Sequence, residues 1–386
     1  MKKIKTKILK KIKILQIFDG LINYKKIKST IKLVYKQQYI NGKNYLGINN
    51  FKTLKKTLIS FLLHEPQNYE VVNSFLNAKI KIIKENYNFS KISKDDVILV
   101  CLIKDDITRL KQIFEYYRNI GIEYFCFIDN NSSDGTLEYL LNQKDTNVYY
   151  TDEQYTTKNR EGWLNRIYNY IGYNKWILCI DSDELYTYCN MEEHKIKEYI
   201  KMLEVNKIKR TRSLLLDMYS KEDLFSDKNS NNFSEINYFD IDGYENVESH
   251  RCYFITGGPR KRVFSTKDEI LNCTISKYPL FFYEEGDFQG SSHWSFPYNK
   301  NRKEICAVLR HYKFMKDDFG KYKQRVINGN YANGSVEYKK YIETIKKKKK
   351  INFFCNRTVK YTSSFDLLKI NVSQDKLENY FNIQGE

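Results

Sequence analysis

The stretch that decides the fold of this chain is Trp176-Ile177-Leu178-Cys179-Ile180-Asp181-Ser182-Asp183-Glu184. Its first five residues carry no charge and are mostly aliphatic, which is typical of a buried strand in a parallel sheet. Three carboxylates follow where the strand ends, and carboxylates are costly to place there unless a cation meets them. Asp181 and Asp183 can turn toward one point, where oxygen ligands suit Mg²⁺ or Mn²⁺. A solvated acidic turn after a strand is the alternative interpretation.

The residues before this stretch alternate between strand and helix patterns. Residues 97–103 and 124–128 form uncharged apolar runs that predict buried strands. Between them, apolar side chains at helical spacing predict a helix that ends at Gly121. We expect a short helix at 137–141, a strand at 148–150 and a helix at 160–171. This alternation predicts an α/β fold with a mostly parallel sheet that helices cover on both faces.

Three polar turns follow the predicted parallel strands. They are Lys104-Asp105-Asp106, residues 129–136 and residues 181–184. Ligands of open parallel sheets bind beyond the carboxyl ends of the strands, so we expect the three turns to meet at one site. The sequence has neither G-x-G-x-x-G after the first strand nor a P-loop motif. A nucleotide would therefore need acidic residues for its ribose or base and a metal for its diphosphate.

The second half of the chain has fewer sequence patterns that predict secondary structure or a site. We predict a helix at 195–206, a strand at 214–219 and a loop at 220–240, which is rich in Asn, Ser and Asp. Ile255-Thr256-Gly257-Gly258-Pro259-Arg260-Lys261-Arg262 is a glycine turn followed by three cations. Arg260 can clamp a phosphate or a carboxylate there, and a tight turn with surface cations is the alternative.

The composition of the chain limits the classes of partner that it can bind. The 386 residues carry a net charge of +18, which is compatible with nucleic acid, anionic lipid or phosphorylated substrates. The excess of positive charge is concentrated in residues 1–36 and 346–350, so we interpret it as a property of the two ends of the chain. A lysine-rich helix over residues 1–46 can lie on an anionic membrane or dock on the protein. The 8 cysteines include no C-x-x-C pair, and no apolar run suggests a membrane span or a secretory signal, so we expect a cytoplasmic protein.

Together these motifs resemble those of glycosyltransferase family 2, in the branch that carries K-N-E, D-N-x-S-x-D-G-T and D-x-D-E. The matching residues are Lys104-Asp105-Asp106, Asp129-Asn130-Asn131-Ser132-Ser133-Asp134-Gly135-Thr136 and Asp181-Ser182-Asp183-Glu184. Two later stretches are similar to the C-terminal half of that branch: Gly257–Arg262 and His311-Tyr312-Lys313-Phe314. The resemblance spans about 97–341 and implies a GT-A (Rossmann-like) domain at 94–345, a basic helical N-terminal extension at 1–93 and a C-terminal tail at 346–386.

The resemblance also implies an activity and a site. A sugar would pass, with inversion, from a nucleotide-diphosphate sugar to a hydroxyl of a glycan or lipid-linked acceptor, in lipopolysaccharide or capsule synthesis. Asp129 would contact the base or ribose, and Asp181 and Asp183 would hold the nucleotide and a Mn²⁺ or Mg²⁺ ion, with His311 as a further ligand. The other implied donor contacts are Lys104, Asp106, Asn130, Asp134 and Arg260. The base is open: Glu285 is preferred, and the alternatives are Asp217, Glu284, Asp287 and His293.

Two other classes of function remain as alternatives. A nucleotidyltransferase also places paired carboxylates around a metal and a nucleotide, but the missing glycine-rich phosphate loop weighs against it. A non-enzymatic basic protein would bind nucleic acid or a membrane surface through its terminal lysines, with strong salt dependence. We expect no nucleic-acid partner, and peripheral contact with an anionic inner membrane face is compatible with the enzyme.

Overall fold

The computed structural model describes residues 46–224, 226–329, 332–348, 350–372 and 375–376, together with positions 24, 25, 28 and 32. The lysine-rich helix predicted for residues 1–46 therefore lies outside the described residues, apart from those four helical positions and residue 46. The described chain is an α/β structure. It has a mixed, largely parallel six-stranded sheet flanked by helices, and several smaller sheets.

Helices and strands alternate through the first half of the chain. In chain order the α-helices are α1 (Phe51–His64), α2 (Tyr69–Asn77), α3 (Ile107–Asn119), α4 (Thr136–Leu141), α5 (Thr157–Ile171), α6 (Ile196–Val205), α7 (Gly258–Phe264), α8 (Asp318–Asn328) and α9 (Ala332–Lys347). The strands are β1 (Lys81–Lys84), β2 (Val97–Ile103), β3 (Tyr124–Asp129), β4 (Thr146–Tyr150), β5 (Lys175–Ile180), β6 (Glu184–Thr187), β7 (Arg212–Asp217), β8 (Tyr238–Asp240), β9 (Tyr244–Glu248), β10 (Tyr253–Gly257), β11 (Ser276–Lys277), β12 (Leu280–Tyr283), β13 (Phe288–Ser291), β14 (Trp294–Phe296), β15 (Ile305–His311), β16 (Thr358–Lys360), β17 (Asn371–Val372) and β18 (Asp375–Lys376).

The six-stranded sheet has the order β1-β4-β3-β2-β5-β12. Its four inner strands are parallel, while β1 and β12 pair antiparallel at the two edges. The strand order reverses at β2, since β3 and β4 lie on one side of it and β5 lies on the other. Such a reversal opens a crevice at the carboxyl ends of the strands. The predicted parallel sheet and its helices are thus confirmed.

Alternate side chains of β2 enter two separate cores, one on each face of the sheet. Leu99 and Cys101 belong to the core that includes residues of α3 and α6, and Ile98 and Val100 belong to the core that includes residues of α5. All four side chains are fully buried. This burial on both faces explains why the strand is a continuous apolar run in the sequence.

A second sheet stands next to the first and has the order β11-β7-β15-β6. The chain passes from the first sheet to the second through residues 181–184, because β5 ends at Ile180 and β6 begins at Glu184. In the register of this sheet His311 pairs with Glu184 on one side and with Asp217 on the other. Strand pairing therefore brings His311 and Asp217 to the end of the acidic turn at Glu184.

The ends of the described chain pack onto this framework. Helices α1 and α2, assigned by sequence to the extension 1–93, join a core with β13 and β14. Ile351 and Phe353, assigned to the tail 346–386, pack with Phe314 and Tyr341. Strand β16 pairs with β8, and β17 pairs with β9. Within the described residues, no helix combines the length and apolar character needed to cross a bilayer.

The glycine turn at 257–258 is present, and the cations after it lie on a helix. Gly257 and Gly258 have φ angles of 112° and 72°, which favour glycine. A Cβ atom on Gly257 would lie 2.0 Å from the carbonyl oxygen of Gly243. The sequence predicted a turn with three cations but not the helix α7 that starts at Gly258, because seven residues that include Gly and Pro give no helical period.

Replacing Gly162 with alanine is expected to lower the free energy of unfolding by about 1–2 kcal/mol. The added Cβ atom would lie 2.4 Å from Ser74 Oγ and 2.7 Å from the backbone nitrogen of Phe75. Overpacking costs about 1–3 kcal/mol, more than the gain in helix propensity of up to about 1 kcal/mol. Urea unfolding measures the change. The control Gly320→Ala, with open space around its Cβ position, should leave stability equal or raised; equal stability of both variants would contradict this packing.

Candidate active site

A cleft of about 1090 Å³ opens at the carboxyl ends of β2, β3 and β5. All three predicted turns contribute to its wall: Lys104 and Asp106 follow β2, Asn130 follows β3, and residues 181–184 follow β5. Ligands of open α/β sheets bind at this position. The predicted meeting of the three turns is therefore confirmed, and it locates the candidate site.

Hydrogen bonds between the turns fix their relative positions. Ser182 Oγ donates to Asp106 Oδ2, which joins the turn after β5 to the turn after β2. Lys104 Nζ donates to the backbone carbonyl of Asn130 at 3.0 Å, which joins the turns after β2 and β3. Asp106 also forms an ion pair with Lys321 of α8 and is 7% exposed. The carboxylate of Asp106 therefore holds the wall of the cleft together.

Asp181 lies between two cations. Its Oδ1 atom is 2.7 Å from Arg160 Nη2 on α5, and its Oδ2 atom is 2.5 Å from Lys277 Nζ on β11. Lys277 also forms an ion pair with Glu184, which is 1% exposed. Burial raises the pKa of Asp181, but Arg160 and Lys277 outweigh burial, so the pKa lies below its ordinary value. Asp181 is thus a carboxylate at neutral pH, already neutralised by the protein.

Asp183 faces a histidine that a second carboxylate orients. His311 Nε2 lies 3.4 Å from Asp183 Oδ2, and His311 Nδ1 lies 2.7 Å from Asp217 Oδ1. Burial lowers the pKa of His311, but Asp183 and Asp217 outweigh burial and raise it above its ordinary value. Asp217 is held in turn by Arg260 at 2.7 Å. A carboxylate behind a histidine fixes the ring and leaves Nε2 available on the Asp183 side.

The residues present fit a divalent cation at Asp183 and His311. Asp183, Glu184 and His311 offer ligand atoms that all lie within 4.8 Å of one another. Carboxylate oxygens suit Mg²⁺ and Mn²⁺, and an imidazole nitrogen is a ligand for divalent transition metals. Glu184 is already paired with Lys277, and the two oxygens of Asp181 contact cations. The structure thus brings together Asp183 and His311 of the predicted ligands, and it places Asp181 beside them in a different role.

The cleft wall that C-terminal elements build is held by ion pairs, and the pair between Arg260 and Asp217 is fully buried. Arg260 on α7 lies 2.7 Å from Asp217 and 2.8 Å from Glu337 of α9. Lys313, which follows β15, lies 3.0 Å from the same Glu337 oxygen. Arg260, Lys313 and Glu337 all line the cleft. Arg260 was predicted to clamp a phosphate or carboxylate; in the structure its partners are two carboxylates of the chain itself.

Replacing Glu337 with glutamine is expected to lower the free energy of unfolding by about 3 kcal/mol at neutral pH, because Arg260 and Lys313 lose their shared carboxylate. Burial raises the pKa of Glu337, but Lys313 and Arg260 outweigh burial and hold the pKa below its ordinary value. The contribution is therefore complete above the unfolded-state pKa of about 4.3 and is lost as the pH falls through the lower folded-state pKa.

Urea unfolding of wild type and Glu337→Gln at a series of pH values checks this expectation. Glu343 is an exposed glutamate of the same helix, and Glu343→Gln should change stability by no more than about 0.5 kcal/mol. A Glu337→Gln variant as stable as wild type at neutral pH would contradict the assigned ion pairs. A stability difference that grows on acidification would contradict the sign of the pKa change.

Asp129 and Asp134 were predicted as donor contacts, and neither lines the cleft. Asp129 is fully buried, and its Oδ1 atom accepts from the backbone N–H of Ser132 at 3.0 Å. Asp134 accepts from the backbone N–H groups of Ile107 at 3.1 Å and Thr136 at 3.0 Å. In the structure both carboxylates order the loop that presents Asn130 to the cleft.

The residues predicted as the catalytic base, Glu285 and Asp217, also do not line the cleft. Glu285 is exposed in the turn between β12 and β13, where Thr53 Oγ1 donates to it at 3.4 Å. Asp217 is 1% exposed and lies behind His311. The geometry makes Asp217 a positioning residue for His311 and gives Glu285 no contact with the cleft.

His293 is the one residue of the alternative set that lines the cleft. Its Nδ1 atom lies 2.8 Å from the carbonyl oxygen of Ser276. A carbonyl oxygen accepts only, so Nδ1 carries the proton and Nε2 keeps its lone pair. Burial, followed by the nearby cations Lys277, Arg160 and Arg260, lowers the pKa of His293 to about 4. His293 is therefore neutral at neutral pH and able to accept a proton.

No sequence pattern marks Arg160 or Lys277 as a site residue. Arg160 lies on the helix before the central strand, and nothing in its spacing separates it from a surface cation. Lys277 belongs to a strand of two residues, which is too short to show a period in the sequence. Three carboxylates at a buried strand end imply cations nearby, and only the fold shows which cations these are.

No model of a known protein family matches the chain, and no curated protein matches it. The chemistry of the site rests on its own residues: an acidic turn between two sheets, a carboxylate–histidine pair, and cations on both walls of the cleft.

Proposed function

We propose that this protein is a metal-dependent glycosyltransferase of the GT-A fold. It transfers a sugar from a nucleotide-diphosphate donor to an acceptor hydroxyl. The observation that carries the proposal is the meeting of three strand-end turns at one cleft, where Asp183 and His311 lie 3.4 Å apart. The resemblance of these turns to the motifs of glycosyltransferase family 2 supports the same activity.

The donor is proposed to bind along the strand-end turns. Lys104 and Asn130 line that part of the cleft and are joined by a hydrogen bond of 3.0 Å, so they form a fixed surface for the nucleotide. When bound at Asp183 and His311, a divalent cation offsets the negative charge that develops on the leaving diphosphate. Asp217 and Arg260 keep His311 oriented for this role.

The acceptor hydroxyl needs a proton acceptor within hydrogen-bond reach. We propose His293 Nε2 for this role in place of Glu285, because His293 lines the cleft and its Nδ1–H donates to the Ser276 carbonyl, which leaves Nε2 as the acceptor. Transfer that uses one base and forms no covalent sugar–protein intermediate is a single displacement. A single displacement inverts the configuration at the sugar carbon. The proposal therefore assigns the leaving diphosphate to the part of the cleft at Asp183 and His311, which would hold the cation, and the acceptor hydroxyl to His293.

The acceptor is proposed to be a glycan or lipid-linked glycan of the cell envelope, such as a lipopolysaccharide or capsule precursor. Ile270 and Val336 line the cleft although they are 65% and 46% exposed. Lys340 lines the same cleft and pairs with Glu269. A cleft wall with both aliphatic and charged side chains suits an acceptor that has apolar and polar parts.

A panel of nucleotide sugars tests the proposal. The full chain is incubated with each donor and Mn²⁺, and the release of a nucleoside diphosphate is followed. At least one donor should be turned over, and turnover should stop when EDTA removes the metal. Release of pyrophosphate from a nucleoside triphosphate and sugar phosphate, with no reaction of any nucleotide sugar, would instead support a nucleotidyltransferase and contradict the proposal.

A further inference from the structure

Lys277 is a cation of the cleft for which the proposed mechanism gives no role. It lies on β11, whose antiparallel pairing with β7 fixes its backbone. Its Nζ atom is 2.5 Å from Asp181 Oδ2 and also forms an ion pair with Glu184, and its side chain is 9% exposed. Burial lowers the pKa of Lys277, but Asp181 and Glu184 outweigh burial and raise it above its ordinary value. Lys277 is thus a fixed positive charge at the acidic turn.

This charge limits where a divalent cation can bind. Each oxygen of Asp181 contacts a cation, Oδ1 through Arg160 and Oδ2 through Lys277. Two positive charges in contact with one carboxylate repel a divalent ion from that carboxylate. The ion-pair partner of Asp183 is His311, and in the described part of the chain no lysine or arginine lies within 4.0 Å of the Asp183 carboxylate. Within one turn, Asp181 is therefore paired with protein cations, whereas Asp183 with His311 is left for a divalent ion.

The ammonium group of Lys277 also has an N–H donor that its ion-pair partners do not use. An ammonium group has three N–H donors. Among the described residues its acceptors are Asp181 and Glu184, which leaves one N–H for a ligand in the cleft that Lys277 lines. Phosphate oxygens are strong acceptors, and lysine is a common phosphate partner.

We propose that Lys277 is a resident cation of the diphosphate subsite, where it stands in place of a metal ion at Asp181 and donates directly to a phosphate of the donor. This inference rests on the proposed function and names the contact that holds the diphosphate. It has a consequence that a metal-only site lacks: the protein binds a diphosphate measurably in the absence of any divalent cation.

Calorimetric titration with inorganic pyrophosphate, in EDTA and separately in Mn²⁺, tests this consequence. Wild type should bind pyrophosphate in EDTA and more tightly in Mn²⁺. Lys277→Met should weaken binding in EDTA by about tenfold or more, the loss expected for one hydrogen bond to a charged group. The factor by which Mn²⁺ improves pyrophosphate binding should not fall in this variant, because Asp183 and His311 are unchanged. Lys277→Arg should stay within about threefold of wild type, because it retains a cation with N–H donors.

Two further variants separate binding from folding. Lys277→Met leaves Glu184 buried without its cation, so the double variant Lys277→Met/Glu184→Gln removes both charges and preserves the fold. Lys300 also bridges two carboxylates, Glu284 and Asp287, but it does not line the cleft. Lys300→Met should bind pyrophosphate like wild type.

The outcomes distinguish this inference from the proposed function. Wild-type affinity in EDTA for the folded double variant would overturn the role of Lys277, as would the absence of pyrophosphate binding by wild type in EDTA. Either result together with Mn²⁺-dependent turnover of a nucleotide sugar leaves the proposed function intact. Failure of wild type to bind pyrophosphate even with Mn²⁺, and to turn over any nucleotide sugar, would overturn both.

Discussion

Asp183→Asn is expected to reduce turnover of the nucleotide-sugar donor by at least about a thousandfold. Asp183 is the carboxylate of the acidic turn that faces His311, at 3.4 Å. Asparagine keeps the shape of the side chain but removes the negative charge that a divalent cation needs. Metal assistance of a leaving group is worth several kcal/mol, and each 1.4 kcal/mol corresponds to about a factor of ten in rate. Initial rates of nucleoside diphosphate release measure the loss.

The same variant is expected to fold. Asp183 is 20% exposed at its side chain, and its backbone carbonyl still accepts from the N–H of Tyr312 at 2.8 Å. Asp242 provides a matched control: it is a half-exposed aspartate paired with Arg357 at 3.0 Å and does not line the cleft. Asp242→Asn should keep wild-type turnover. Turnover by Asp183→Asn within about tenfold of wild type would contradict the assigned metal site.

His293→Asn is expected to reduce turnover by about 10²–10⁴-fold, the usual contribution of a general base. The asparagine amide can still donate to the Ser276 carbonyl, as Nδ1 does now at 2.8 Å, while the Nε2 lone pair is lost. The variant therefore separates catalysis from structure. Its melting temperature should match that of wild type, and its KM for the donor should change little compared with its kcat.

The pH profile gives a second measurement on His293. The base acts when neutral, so the wild-type rate should fall as the pH drops through the pKa of His293 in the substrate complex. Burial, and after it the cations Lys277 and Arg160, lower the pKa of His293 in the free protein to about 4. Bound phosphates offset these cations, so the pKa in the substrate complex lies higher. The variant should lose this acidic limb. His194 is exposed outside the cleft, and His194→Gln should keep the profile. An unchanged rate and profile in His293→Asn would contradict the assignment.

The fold around the acidic turn follows from local patterns. β2 and β5 are buried on both faces, so each is an apolar run that needs no partner to be recognised, and α3 has a clear helical period that ends before Gly121. Once these strands are placed in one parallel sheet, the turns that follow them must share an edge. The meeting of Lys104, Asn130 and Asp181 could therefore be predicted from the sequence.

The rest of the site depends on pairing between distant parts of the chain. His311 reaches the acidic turn because β15 pairs with β6 and β7, and no local pattern specifies that register. Lys277 lies 93 residues from Glu184, and its strand is too short to show a period. Glu285 was the preferred candidate for the base, but the β12–β13 turn directs it to the surface beside Thr53. Contacts between residues so far apart in the sequence are set by tertiary packing.

Anomalous diffraction at the manganese edge, from crystals of the full chain soaked with Mn²⁺ and a nucleoside diphosphate, tests the central claim most directly. We predict one anomalous peak per chain, within bonding distance of an Asp183 oxygen and of His311 Nε2, with the diphosphate in the same cleft. A peak elsewhere, or a nucleotide bound away from the turn at 181–184, would contradict the assignment of this cleft as a metal-dependent nucleotide-sugar site.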